Sequence, residues 1–177
     1  MTVKLPTGAV TLMAGAEGSA RLWQTQPDDM AAALPWLRTT AVHLIALNDG
    51  ILRSGLDNTE GFVATFGCAS DALSCALALQ LAPTDPFSLC IGVHSVADGA
   101  AKLCDVAHGG QTLISGTTVS SGFGGLPAGA TLTHLGSHRL DDPQWQERLF
   151  ELRHPGLPKR IQLLDVPQAV LAHDLLN

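Results

Sequence analysis

Charge is scarce in this chain. Asp, Glu, Lys and Arg make up 15% of its 177 residues, against 46% apolar residues, and the formal net charge is −6. The ten basic residues are scattered, with Lys159–Arg160 the longest basic run. A duplex-binding surface needs a clustered basic stripe to displace counterions, so binding of nucleic acid by this chain is not expected. Also missing is an unbroken apolar run of about 18 residues, the length that spans a bilayer. The opening stretch MTVKLPTGAV has one lysine and no long apolar core, which argues against a secretory leader. The resulting expectation is a cytoplasmic protein with no membrane association.

Other absences narrow the chemistry. Cys68, Cys75, Cys90 and Cys104 form no C-x-x-C pair and share no zinc-ligand spacing with a histidine, which predicts free, buried, reduced thiols. No G-x-x-x-x-G-K-[S/T] loop is present, so a P-loop ATPase is excluded. His94 and His108 have no Ser or Cys partner in a nucleophile-elbow pattern. The first reads as a strand-end histidine, the second as a turn or capping residue before Gly109-Gly110. The glycines around Gly122-Phe123-Gly124-Gly125 read as a flexible loop. Internal repeats and low-complexity linkers are likewise absent.

What is present fits one apolar-rich globular domain. Residues 10–14 are a short apolar run ending in the turn Gly15-Ala16-Glu17-Gly18, the pattern of a buried strand. Ser19 opens a helical stretch to Ile45 that Pro27 and Pro35 should divide, with Asp28 or Asp29 in the turn after Pro27. Asp49-Gly50 marks a turn, and residues 51–56 and 61–66 read as two strands. Ser70 should cap a helix over 71–81, stopped by Pro83 and Pro86. Residues 87–94 form a β-prone run, 96–106 a short helix, 111–115 a strand and 116–121 the start of another helix. Strands over 131–135 and 148–152 follow. Apolar residues at near-helical spacing over 161–176 predict a tail helix that packs on its own domain or docks a partner, weakened by Pro167. The order of elements argues for one mixed α/β sandwich.

Several segments carry a family resemblance in the right order. AVTLMAGAEGSARLW, EGFVATFGCASDALSCALALQ, LCIGVH, DVAHGGQTLISGTT, LTHLGSHRLDD and ERLFELRHP together resemble the bacterial class III adenylate/guanylate cyclase catalytic domain over about residues 5 to 157. The resemblance implies an α+β fold with a ferredoxin-like βαββαβ core, further C-terminal strands and a tail helix. It divides the chain into a cyclase homology domain, 1–157, and a tail, 158–177. It also implies a head-to-tail dimer with active sites at the interface. There, two aspartates hold two divalent metals, and an Asn and an Arg steady the ribose and the charge on the α-phosphate.

At the matching positions this sequence departs from that pattern. Gly15 stands where the first metal aspartate would be, and residues 11–16 contain no carboxylate. Glu60 takes the second, either as a weak metal ligand or as a solvated turn residue. Asp98 and Lys102 take the Asn and Arg positions, and lysine lacks the planar fork that grips phosphate. A surface i,i+4 pair between them is the plainer reading. The insert that family members carry between the strand ending at His94 and the helix bearing Asp98 is missing. With it go a hairpin of the dimer interface and a purine-selecting position. Glu17, Gly18 and Ser19 keep the phosphate-turn sequence.

The functional expectation is a degenerate, inactive cyclase homology domain with a regulatory or protein-interaction role in bacterial cyclic-nucleotide-type signalling. The alternatives are a weakly active purine nucleotide cyclase using Mg²⁺ or Mn²⁺ at Glu60, and a nucleotide sensor without turnover. No cofactor is expected otherwise. The partners left open are a second copy of the chain, another protein, and ATP or GTP bound weakly.

Overall fold

A computed structural model describes residues 8–55, 60–120, 125–140 and 144–158. The elements in chain order are β1 (Val10–Ala16), α1 (Ser19–Thr25), α2 (Pro27–Leu47), β2 (Ile51–Gly55), β3 (Phe62–Phe66) and α3 (Ala69–Leu81). They continue with β4 (Leu89–His94), α4 (Ala97–Val106), β5 (Thr112–Ser115), α5 (Gly116–Ser120), β6 (Thr131–Arg139) and β7 (Gln146–Arg153). The strands form one seven-stranded sheet in the order β2-β3-β1-β4-β5-β7-β6. β4 and β5 run parallel and the other neighbours antiparallel. The segment from β1 to β4 is the expected βαββαβ core, and β5 to β7 extend its sheet.

Strand alternation sorts side chains into two cores. Leu12 and Ala14 of β1, Phe62, Ala64 and Phe66 of β3, and Ile91 and Val93 of β4 face α2 and α3 in the main core. Each large apolar side chain buried there contributes about 1.5–3 kcal/mol. On the opposite face α4 packs through Leu103 and Cys104 against Leu113, Leu140 and Leu149. Gly92 of β4 permits the close approach of α4. A Cβ there would lie 2.3 Å from the Ala100 carbonyl oxygen and 2.6 Å from the Cys104 nitrogen.

Two expectations need correction. Pro35 does not divide the helix; the break falls at Gln26, between α1 and α2, and α2 runs through Pro35 without interruption. Both Pro35 and Ala31, whose carbonyl loses its i+4 donor, are exposed, so water can take the missing bond. Ser70 does not cap α3. Cys68 holds the N-cap position, and the Ser70 hydroxyl instead donates to the Gly125 carbonyl at 2.7 Å.

α2 also qualifies the expectation about membranes, since by length and composition it meets the threshold for a bilayer span. Its stripe of Met30, Leu37, Ala41 and Ile45 is buried in the main core, as in an amphipathic helix packed on a sheet. The expected tail helix over 161–176 and most of the 122–125 loop lie outside the described residues.

The Gly92 contact yields the first prediction. Gly92→Ala is expected to lower the unfolding free energy by roughly 1–3 kcal/mol, because the atoms it strikes are backbone and cannot swing aside. Urea denaturation of the two proteins measures it.

Candidate functional site

The end of β1 meets the start of β3. Ala14 pairs with Phe62 of β3 on one side, and Gly15 pairs with Cys90 of β4 on the other. Gly15 and Glu60, the two positions matching metal aspartates, are therefore brought near each other, but they face different surroundings. A Cβ on Gly15 would stand 3.6 Å from Cys104 Sγ, an ordinary contact on the α4 side of the sheet. The half-buried Glu60 accepts a hydrogen bond from the Trp23 indole N–H at 3.4 Å, on the side where α1 packs on the main core. Glu60 is thus not a free, solvated turn residue.

A pair of divalent metals requires hard anionic oxygens converging on one point. Here one position has no side chain and the other is drawn to an indole. Among the described residues no group of three or more His, Cys, Asp or Glu side chains is placed to hold a metal. The residues do not fit a two-metal centre.

Beyond Gly15 lies a pocket of about 350 Å³ bounded by Glu17, Gly18, Cys90, Cys104, Asp105 and His108. Burial pushes the Cys104 thiol up to about 12, with Cys90 and Asp105 adding to the effect. Burial likewise pushes Cys90 up to about 11, helped by Glu17 and Asp105. Both thiols are neutral at pH 7, consistent with the expected reduced, buried cysteines, and Cys104 donates to the Cys90 carbonyl at 3.2 Å.

The turn Glu17-Gly18-Ser19 keeps its strand-to-helix position. Gly18 sits in the left-handed region at φ 61°, and no side chain caps α1. The Glu17 N–H is already used, donating to the Ser88 carbonyl at 2.9 Å. Its carboxylate lies 3.6 Å from His108 Nδ1, and a Cβ on Gly109 would meet it at 2.6 Å. The Glu17 carboxylate is thus directed toward His108 and Gly109.

Asp98 and Lys102 sit on α4, but they are not paired with each other. Asp98 is exposed, while the Lys102 ammonium lies 4.4 Å over the Trp145 ring in a cation–π contact. Trp145 meets the His94 ring edge-on, with centroids 6.0 Å apart. These contacts belong to a cluster that sequence reasoning missed. Glu147 of β7, 7% exposed, accepts from the Thr117 N–H at 3.1 Å, the Thr117 hydroxyl at 2.7 Å and the Trp145 indole at 3.3 Å. Period-2 alternation in β7, where Glu147 shares a phase with the buried Leu149, was the signal available.

His94 is a strand-end histidine, as expected, and it is locked in place. Its Nδ1 accepts the Val96 N–H at 2.9 Å, which leaves the proton of the neutral ring on Nε2. Nε2 lies 3.8 Å from the Glu147 carboxylate, too far for a hydrogen bond. A Cβ on Gly99 would strike the His94 ring at 2.4 Å, so this glycine lets α4 lie over the imidazole. Burial lowers the His94 pKa from its ordinary 6.5, and the Glu147 charge opposes that shift. Protonation would put a hydrogen on Nδ1 and break the Val96 bond at the N-cap of α4.

The sign follows by linkage. The unfolded chain takes up the proton near pH 6.5, before the folded chain does. The contribution of His94 is therefore present above that pH and is lost as pH falls toward the lower folded value, by at most about 1.4 kcal/mol per pH unit. Relative to His94→Gln, the wild-type chain should lose stability between pH 7.5 and 5.5, measured by denaturant titration. In an NMR titration of wild-type protein the His94 imidazole should titrate below 6.5; a midpoint above it contradicts the assignment.

Comparison with known proteins agrees with this architecture. No family model matches the chain. It is 37% identical over 169 residues to the uncharacterized protein Rv0891c of Mycobacterium tuberculosis, covering 88% of this chain and 59% of that protein. It therefore spans less than two thirds of that relative's length. It is 36% identical over 180 residues to the uncharacterized protein Rv1359 of the same organism, covering 88% of this chain and 72% of that protein. Among solved structures, an adenylate cyclase from Trypanosoma brucei in its monomeric state superposes with a TM-score of 0.76 at 21% identity, over 94% of this chain and 98% of that one. Other matching structures are also adenylate or guanylate cyclases. The chain thus belongs to the family of these mycobacterial proteins, and its fold is that of the class III adenylate/guanylate cyclase catalytic domain.

Proposed function

We propose that this chain is a cytoplasmic cyclase homology domain without turnover, serving as a regulatory or protein-interaction module in bacterial cyclic-nucleotide-type signalling. The observation that carries the reading is the loss of the carboxylate pair. Gly15 faces the Cys104 thiol, and Glu60 is held by Trp23. Three further features support it. Lys102 lies over Trp145, and Asp98 puts a negative charge where ribose would be oriented. β4 passes into α4 through Ser95 and Val96 alone, leaving no room for a base-selecting hairpin. Meanwhile the sheet and both apolar cores are intact, so a surface for a protein partner or a second copy is still presented rigidly.

An assay with Mn²⁺ and millimolar ATP or GTP tests the loss of turnover. Cyclic product is expected to stay at the protein-free level in wild-type chain. Product that forms and then disappears in Glu60→Ala would establish a weakly active cyclase instead. The sensor alternative is tested by thermal shift. A site with a Kd of about 10 µM would add about 2.7 kcal/mol at 1 mM nucleotide, a rise easily seen, and none is expected.

A further inference from the structure

A cavity of about 220 Å³ opens between the end of α3, the links into β4 and β5, and the end of β7. None of Gly15, Glu60, Asp98 or Lys102 lines it. Its walls include Gln80, Asp85, Phe87, Gln111, Glu151 and Leu157. Through the last two it adjoins a wider groove of about 620 Å³ beside β7.

Gln111 is the telling residue. It is only 4% exposed, and its Oε1 accepts the His108 N–H at 3.0 Å, which fixes the orientation of the amide. The Nε2 donor then has no partner among the described residues. Buried polar groups are nearly always hydrogen-bonded, so a free donor in a cavity wall points to an acceptor that the cavity can hold.

The neighbouring groups are acceptors. Gln80 donates through Nε2 to the Leu89 carbonyl at 3.0 Å and the Thr112 hydroxyl at 3.3 Å, which leaves its Oε1 as an acceptor. Arg153 engages one oxygen of Glu151 at 2.7 Å, and the other has no partner among the described residues. Asp85 adds a second carboxylate, and no Lys, Arg or His lines the cavity. A cation is therefore attracted here and an anion is repelled. Phe87 and Leu157 offer an apolar wall to a short carbon chain.

We propose that this cavity binds a small primary ammonium compound that also carries an uncharged oxygen, of the amino-alcohol class. The ammonium donates to Glu151 and Gln80 within the field of Asp85, and the oxygen accepts from Gln111 Nε2. At about 220 Å³ the space equals roughly seven water volumes, enough for a ligand of that class. The site is separate from the positions that match the cyclase pattern, so it stands whether or not the chain turns over nucleotide.

A ¹H–¹⁵N NMR titration of the full chain tests this with three probes of similar size and different charge: aminobutanol, butanediol and hydroxybutyrate. Aminobutanol should shift the Gln111 side-chain amide saturably, with a Kd on the order of millimolar for so small a ligand. Butanediol and hydroxybutyrate should leave that amide in place at the same concentrations. Asp85→Asn and Glu151→Gln each remove one charge while keeping shape, and each should weaken aminobutanol by about fivefold or more. Unchanged amides in β1 and β3 check that each variant is folded, and the three-probe comparison in wild type needs no variant. Three results would overturn the proposal. Aminobutanol could leave Gln111 unmoved, butanediol or hydroxybutyrate could bind as well as the amine, or both folded variants could keep wild-type affinity.

Discussion

The packing of α4 on β4 governs most of this domain. Two glycines make it possible. Gly92 lets the helix backbone reach the strand, and Gly99 lets it lie over the His94 ring. Because the helix sits so close, a link of two residues, Ser95 and Val96, is enough to connect them. That docking then dictates where each α4 side chain goes. Cys104 is turned toward Gly15, and Lys102 toward Trp145. Both outcomes bear on the positions that match the family's site. The thiol lies at van der Waals distance from the side-chain position of residue 15, and the cation is engaged by an aromatic face.

The buried pair of His94 and Glu147 holds the same junction from the other side. A carboxylate removed from water is destabilising unless its oxygens are hydrogen-bonded. Here Thr117 of α5 and Trp145 supply the donors, so β7 and α5 are tied through one side chain, and the Trp145 ring meets His94 at the end of β4. The imidazole is held neutral by its bond to Val96 and by burial. Removing Glu147 alone would leave the Thr117 donors without their acceptor, so the cluster stands or falls as a unit.

Much of the fold was legible in the sequence, because its signals are local. The run in β1, the alternation leading to Phe62 and Phe66, and the three-and-four spacing of Leu73, Ala76 and Leu77 each name their element without tertiary help. Errors arose where tertiary context overrides a local rule. Pro35 is tolerated because its face of α2 is wet, and Ser70 is drawn from its capping role by the Gly125 carbonyl. At the site, the positions Gly15, Glu60, Asp98 and Lys102 could be named from the family resemblance. Their partners could not. Trp23, Cys104 and Trp145 are 37, 89 and 43 residues away from Glu60, Gly15 and Lys102, and only the folded sheet brings them together.

These partners explain how the fold is stable with glycine at position 15. Two metal carboxylates at adjacent strand ends repel each other unless cations lie between them, so their presence opposes stability in the metal-free chain. With glycine at position 15 that repulsion is gone, and the neighbouring Cys104 stays neutral because burial raises its pKa to about 12. Glu60 accepts from an indole donor. Among the described residues the buried carboxylate of Glu147 lies instead on β7, satisfied by Thr117 and Trp145, while His94 at the end of β4 fixes the start of α4 through Val96 and Gly99.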